Sequence, residues 1–174
     1  MVNSTILSGV VNKINSLITS VFENSTKMNL NFIDVSTLPS YADGFTDPNG
    51  GIIDVRLNVT VQLDLNHLPN YSQEYIARVI MHESLHAYLM ASGTADRLQH
   101  EDMAIKYVTQ MALALQQMFP GLSDVEAKNV SLGGLQFTDT FANTIKNDLS
   151  LTGSFDSTNL AYSVGPKGKR CNSN

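Results

Sequence analysis

The chain holds a single cysteine, Cys171, in 174 residues. No internal disulfide can form, and a cysteine-based zinc ribbon is excluded. Basic residues are also scarce. Eleven Lys and Arg face sixteen Asp and Glu, for a net charge of −5. Gripping phosphates takes a basic face, so nucleic acid is excluded as a partner class. The one basic cluster, Lys167, Lys169 and Arg170, reads as a solvated end. Gly165-Pro-Lys-Gly-Lys169 follows no strand and has the wrong glycine spacing for a phosphate loop. There is no run of eighteen apolar residues, so no transmembrane helix is expected. The opening MVNSTILSGVVNKINSLITS lacks the basic leader of a secretory signal. A cytoplasmic location is the default, unless the chain is exported as part of a larger protein. No internal repeat is found.

What is present suffices for one domain with a real core: 43% of residues are hydrophobic. We place that domain at 1–150 and a loosely ordered polar tail at 151–174, where Ser, Gly, Asn and Lys take over. Leu7, Val10, Ile14, Leu17 and Val21 predict an N-terminal amphipathic helix lying on the core. Met28–Val35 predicts a first strand. From Ile53 to Leu65 every odd position is apolar and every even one polar. This period of two predicts a half-solvated strand or a hairpin, able to pair with an extended peptide or to sit inside an antiparallel sheet.

The most informative segment is His82-Glu83-Ser84-Leu85-His86, an H-E-x-x-H motif. It lies in SQEYIARVIMHESLHAYLM, which Ser72 can cap, Glu74 favours in the first turn, and Gly93 can stop. On a helix, positions i and i+4 stack on one face. Two imidazoles so placed can hold one zinc ion, and Glu83, one step round, can take a proton from a water beside it. Two histidines on one helix face can also be core histidines, so a third ligand matters. The chain has four His. His100 heads a stripe, with Met103, Tyr107, Met111, Ala114 and Met118, on a next helical run that Thr94 or Asp96 can cap. It can aim back at the motif helix. Glu101 and Asp102 compete with it, and His67 reads as a surface residue. Tyr75 and Tyr107 are candidate oxyanion donors that more simply pack. Further on, Ser123-x-x-Glu126 predicts a capping box, Gly133-Gly134 a break, and Phe137, Phe141 and Ile145 a last amphipathic helical segment.

With His82-Glu83-Ser84-Leu85-His86 followed by Ala87-Tyr88-Leu89 and by His100, the chain resembles the SprT-like and related minimal zincin metallopeptidases over about residues 30–118. The resemblance implies an α+β, zincin-like fold: a small, mostly antiparallel sheet packed on the motif helix and on a following ligand-bearing helix. An N-terminal helix and a C-terminal helical segment complete it. It implies His82, His86 and His100 as ligands of Zn2+, Glu83 as general base, and a protein or peptide as substrate. The chain departs from the family in lacking a cysteine ribbon and in being acidic, unlike members that act on DNA-bound proteins. The stretch Gly133-Gly134-Leu135-Gln136-x-Thr138 is similar to metallopeptidase-like modules at the C-termini of large secreted or toxin-like bacterial proteins. The rival expectation is a non-catalytic zincin-like module, either structural or binding.

Overall fold

The structure, a computed structural model, describes residues 28–47, 52–53 and 56–170. The expected N-terminal amphipathic helix and Cys171 lie outside the described residues. Within them, mixed α and β elements run in order β1 (Met28–Val35), β2 (Gly44–Asp47), β3 (Ile52–Ile53), β4 (Arg56–Asp64) and a 3-10 turn (Leu68–Asn70). Seven helices follow: α1 (Gln73–Ala91), α2 (Asp96–Lys106), α3 (Val108–Met118), α4 (Asp124–Ser131), α5 (Asp139–Asn147), α6 (Leu149–Thr152) and α7 (Phe155–Ser163). None of the described helices is long and apolar enough to cross a membrane.

The sheet is mixed, where a mostly antiparallel one was expected. β4 lies between β1, which pairs with it in parallel from Met28↔Leu57 to Val35↔Asp64, and β2, which pairs antiparallel. β3 joins the same side of β4 as the first arm of a hairpin, with Ile52 opposite Leu57. The chain leaves β1, runs out along the far side of β4's position and turns back, so β1 and β4 point the same way. β4 is therefore flanked on both sides and cannot accept an extended peptide. Among the described residues β1 and β2 each pair with β4 alone, so both are edges, and β2 is the one that faces Glu83.

The period of two in β4 is realised in burial. Val59, Val61 and Leu63 are at most 2% exposed. Leu65, past the strand's end, is 53% exposed. Asp64 is buried despite its charge because its carboxylate accepts the backbone N–H groups of Asn66 and His67, both at 3.1 Å. Val61 and Leu63 pack on Val79 and Ile80 of α1, sealing the sheet onto the helix. A second cluster lies among the helices, where Leu85, Met103, Met111, Leu115, Leu132 and Leu135 are fully buried. α1 thus runs between the sheet and the helical layer.

α1 begins and ends as its sequence predicts. The Ser72 hydroxyl accepts the Tyr75 N–H at 3.2 Å. At the other end Gly93 takes φ +80°, Thr94 N–H bonds Leu89 O and Gly93 N–H bonds Met90 O. These two bonds form a Schellman stop. The run after it divides at Tyr107 into α2 and α3, yet Met103, Tyr107, Met111 and Ala114 remain one buried stripe. Backbone bonds cross the break, from Tyr107 N–H to Met103 O and from Met111 N–H to Tyr107 O. Ala95 stands at the N-cap of α2 and makes no side-chain cap bond. Asp96 stands in the first turn instead of capping it. α4 has the full capping box of Ser123 and Glu126.

The segment from residue 151 on differs from the loose tail expected. Leu151, Phe155 and Tyr162 are buried, and Phe141 and Phe155 meet edge to face at 4.9 Å. The basic cluster is used internally. Lys167 pairs with Glu126 at 2.6 Å, and Arg170 donates to Ser163 O at 2.6 Å and Asn70 O at 3.0 Å. Gln73 N–H bonds Lys169 O, and Lys169 N–H bonds the Glu74 carboxylate at 3.0 Å. The polar composition misleads because these groups bind within the protein, at α4 and around the start of α1.

Candidate metal centre

His82 and His86 lie one turn apart on α1, and His100 reaches them from the first turns of α2. The Nε2 atoms of His86 and His82 are 3.2 Å apart, and those of His86 and His100 are 3.1 Å apart. One nitrogen from each ring lies within 4.8 Å of the others. Zinc bound at 2.0–2.1 Å in a tetrahedron sets its ligand nitrogens about 3.3 Å apart. The donor set therefore fits a zinc ion: three imidazoles offer one nitrogen each, and two of the three pairs stand at nearly that spacing. No fourth His, Cys, Asp or Glu joins them among the described residues.

The environment favours the neutral, ligating form of each ring. Burial lowers the pKa of His82 well below the usual imidazole value, helped by His86, Arg78 and His100. Burial likewise lowers His86, against the hydrogen bond to Gln99. His100 is lowered by burial and then by His86. A cation needs the lone pair that protonation would occupy. His82 Nδ1 is buried with no hydrogen-bond partner in the structure.

Two glycines shape the centre. Gly134 has φ +83°, and a Cβ there would stand 3.0 Å from His82 Cε1. The chain needs glycine here both for its left-handed conformation and to let the backbone close on the ring. Gly44 on β2 plays the same part toward Glu83, since a Cβ would meet Glu83 Cγ at 2.8 Å and Val79 Cγ1 at 3.0 Å.

Glu83 is 7% exposed and faces β2. The Thr46 hydroxyl lies 2.8 Å from Glu83 Oε2 and 2.9 Å from the Glu83 carbonyl oxygen. Burial pushes the Glu83 carboxyl up to about 7, although the Thr46 hydrogen bond and the Arg78 charge pull it down. A carboxyl poised near neutrality can both take and give a proton.

The competing candidates are occupied elsewhere. The Glu101 carboxylate accepts the N–H groups of Asp139 and Thr140, each at 3.0 Å, and the Thr140 hydroxyl. It caps α5 and ties it to α2. Asp102 pairs with Lys106 at 2.8 Å. His67 pairs with Asp64. The Tyr75 hydroxyl donates to Asp43 at 3.0 Å, and Tyr107 packs edge to face on Tyr88 in the core. Sequence reasoning missed Gln99, Thr46 and Gly44. No spacing rule marks a lone Gln or Thr as the neighbour of a metal ligand or base. Only the position of Gln99 beside His100 offered a signal. No family model, curated protein or solved structure matches this chain.

Proposed function

We propose that this protein is a zinc-dependent metallopeptidase, with His82, His86 and His100 holding the metal and Glu83 acting as general base. The observation that carries the reading is the convergence of three imidazole nitrogens within 4.8 Å of one another, two of the pairs near tetrahedral spacing, with the buried Glu83 next to His82 in the chain and no fourth His, Cys, Asp or Glu joining them among the described residues. A purely structural zinc site is usually closed by four protein ligands and needs no base. When bound, zinc supplies Lewis acidity, polarising a carbonyl and lowering the pKa of water. Glu83 accepts the proton of the attacking water and returns it to the leaving amine nitrogen. Thr46 holds the carboxyl in place during both transfers. Neutral ligands leave the metal's positive charge undiminished beside that carboxyl.

The substrate in this reading is a peptide in extended form. β2 is the sheet edge next to Glu83, and strand addition there would bring a peptide carbonyl to the centre. The test is elemental analysis of purified protein together with a screen of unstructured protein substrates. We expect one zinc per chain, lost in His100→Ala, and hydrolysis that disappears in Glu83→Gln while the zinc stays. A metal-free wild type that has never met a chelator, or a fully active Glu83→Gln, overturns the assignment.

A further inference from the structure

We propose that Gln99 fixes the tautomer of His86, so that the metal-free protein already turns the bare Nε2 of that ring toward His82 and His100. The inference rests on the reading of the triad as a metal centre, and not on catalysis. Gln99 is 1% exposed, and both ends of its amide are engaged. Its Nε2 donates to Thr94 O at 3.2 Å, and its Oε1 lies 2.6 Å from His86 Nδ1. The carbonyl decides which way the amide lies. The opposite orientation would set Oε1 against Thr94 O, two acceptors with no proton between them. Oε1 has no hydrogen to give, so the proton in the contact with His86 belongs to Nδ1. A neutral imidazole carries one proton, and His86 Nε2 is then a lone pair.

Thr94 is a firm anchor for this device. Its own N–H closes the Schellman stop on Leu89 O at 2.9 Å, so the carbonyl that orients Gln99 is fixed by the end of α1. Gln99 and His100 are consecutive on α2. The same turn of helix delivers one ligand and orients another, from directions about 100° apart. The choice of an amide has a chemical consequence. A carboxylate at position 99 would face Thr94 O as a second acceptor and would place a negative charge against a ligand. Gln99 orients the ring and leaves the charge of the centre unchanged.

The experiment is two-bond 1H–15N correlation of the histidine rings in the metal-free full chain at pH 8, with the His86 signals assigned by their loss in His86→Asn. We expect His86 protonated at Nδ1 and bare at Nε2. In Gln99→Leu we expect that pattern to give way to Nε2–H, and zinc affinity, by competition with a chromogenic chelator, to fall about 10- to 100-fold. A wild-type His86 protonated at Nε2 overturns the proposal, as does a folded Gln99→Leu with unchanged tautomer and affinity. The wild-type spectrum decides alone if Gln99→Leu does not fold. Nδ1–H in a wild type that fails to bind zinc would support the tautomer and sink the metal reading.

Discussion

Thr46 and Glu83 are joined across the boundary between sheet and helix, the Thr46 hydroxyl lying 2.8 Å from the Glu83 carboxylate and 2.9 Å from the Glu83 carbonyl. One hydroxyl proton faces two acceptors. The bond to the carboxylate favours its ionised form and holds down a pKa that burial raises. Thr46→Val keeps the shape and removes the donor. A hydrogen bond to a charged group is worth about 1.5–3 kcal/mol, which corresponds to roughly one to two pH units. The acid limb of the kcat/KM profile should move to higher pH by up to that amount, with zinc content unchanged. An unmoved limb would show that Thr46 does not act on the base.

Gly134 is predicted to be intolerant of any side chain. Gly134→Ala adds strain at φ +83° and a Cβ 3.0 Å from His82 Cε1. Such a residue costs about 1–3 kcal/mol, and the His82 ring must shift to make room. We expect lower stability in urea and weaker zinc binding together. Gly153→Ala is the control, because a Cβ there meets nothing within 4 Å. Equal effects at both positions would remove Gly134 from the centre.

The histidines were legible in the sequence because a helix has a fixed period. His82, Glu83 and His86 need only α1 to be straight, and its cap at Ser72 and stop at Gly93 can be read locally. His100 needed one more assumption, that the next helix folds back, and its place on the Met103–Tyr107–Met111 stripe supplied it. Parallel pairing of β1 and β4 was not legible, because a turn-rich connection gives no sign of which side of a strand the chain returns on. Thr46 and Gly44 touch Glu83 from 37 and 39 positions away, and no local pattern encodes such a contact. The tail was misread for a different reason. The backbone of Lys169 and the Arg170 side chain bind groups at the head of α1, while Lys167 pairs with Glu126 and Asn159 donates to Asn129 O, and composition cannot distinguish such bonds from bonds to water.

Glu101 separates a ligand role from a supporting one. Its carboxylate takes the first N–H groups of α5, where a negative charge is favoured. Glu101→Ala should cost about 0.5–2 kcal/mol in stability, the range of a lost helix cap, and should retain one zinc per chain. His100→Ala should lose the zinc. Loss of metal in Glu101→Ala, with stability intact, would exchange the two assignments.

The metal-free protein should also carry the signature of a buried carboxyl. Glu83 titrates near 7 in the folded chain against 4.5 for the free side chain. Between those values the folded state holds more protons than the unfolded one, so stability falls as pH rises. The contribution is complete below 4.5 and lost by about 7, amounting to up to about 3 kcal/mol at 1.36 kcal/mol per unit. The amide introduced by Glu83→Gln cannot ionise. The histidines act in the opposite sense, since their lowered values cost stability as pH falls below 6.5, but they do so in both proteins and cancel in the comparison. Urea unfolding with a chelator present, from pH 5 to pH 8, should therefore show Glu83→Gln gaining on the wild type as pH rises to about 7 and levelling off above it. A difference that stays flat across that range would mean that Glu83 is ionised without penalty, and the base would not be poised near neutrality.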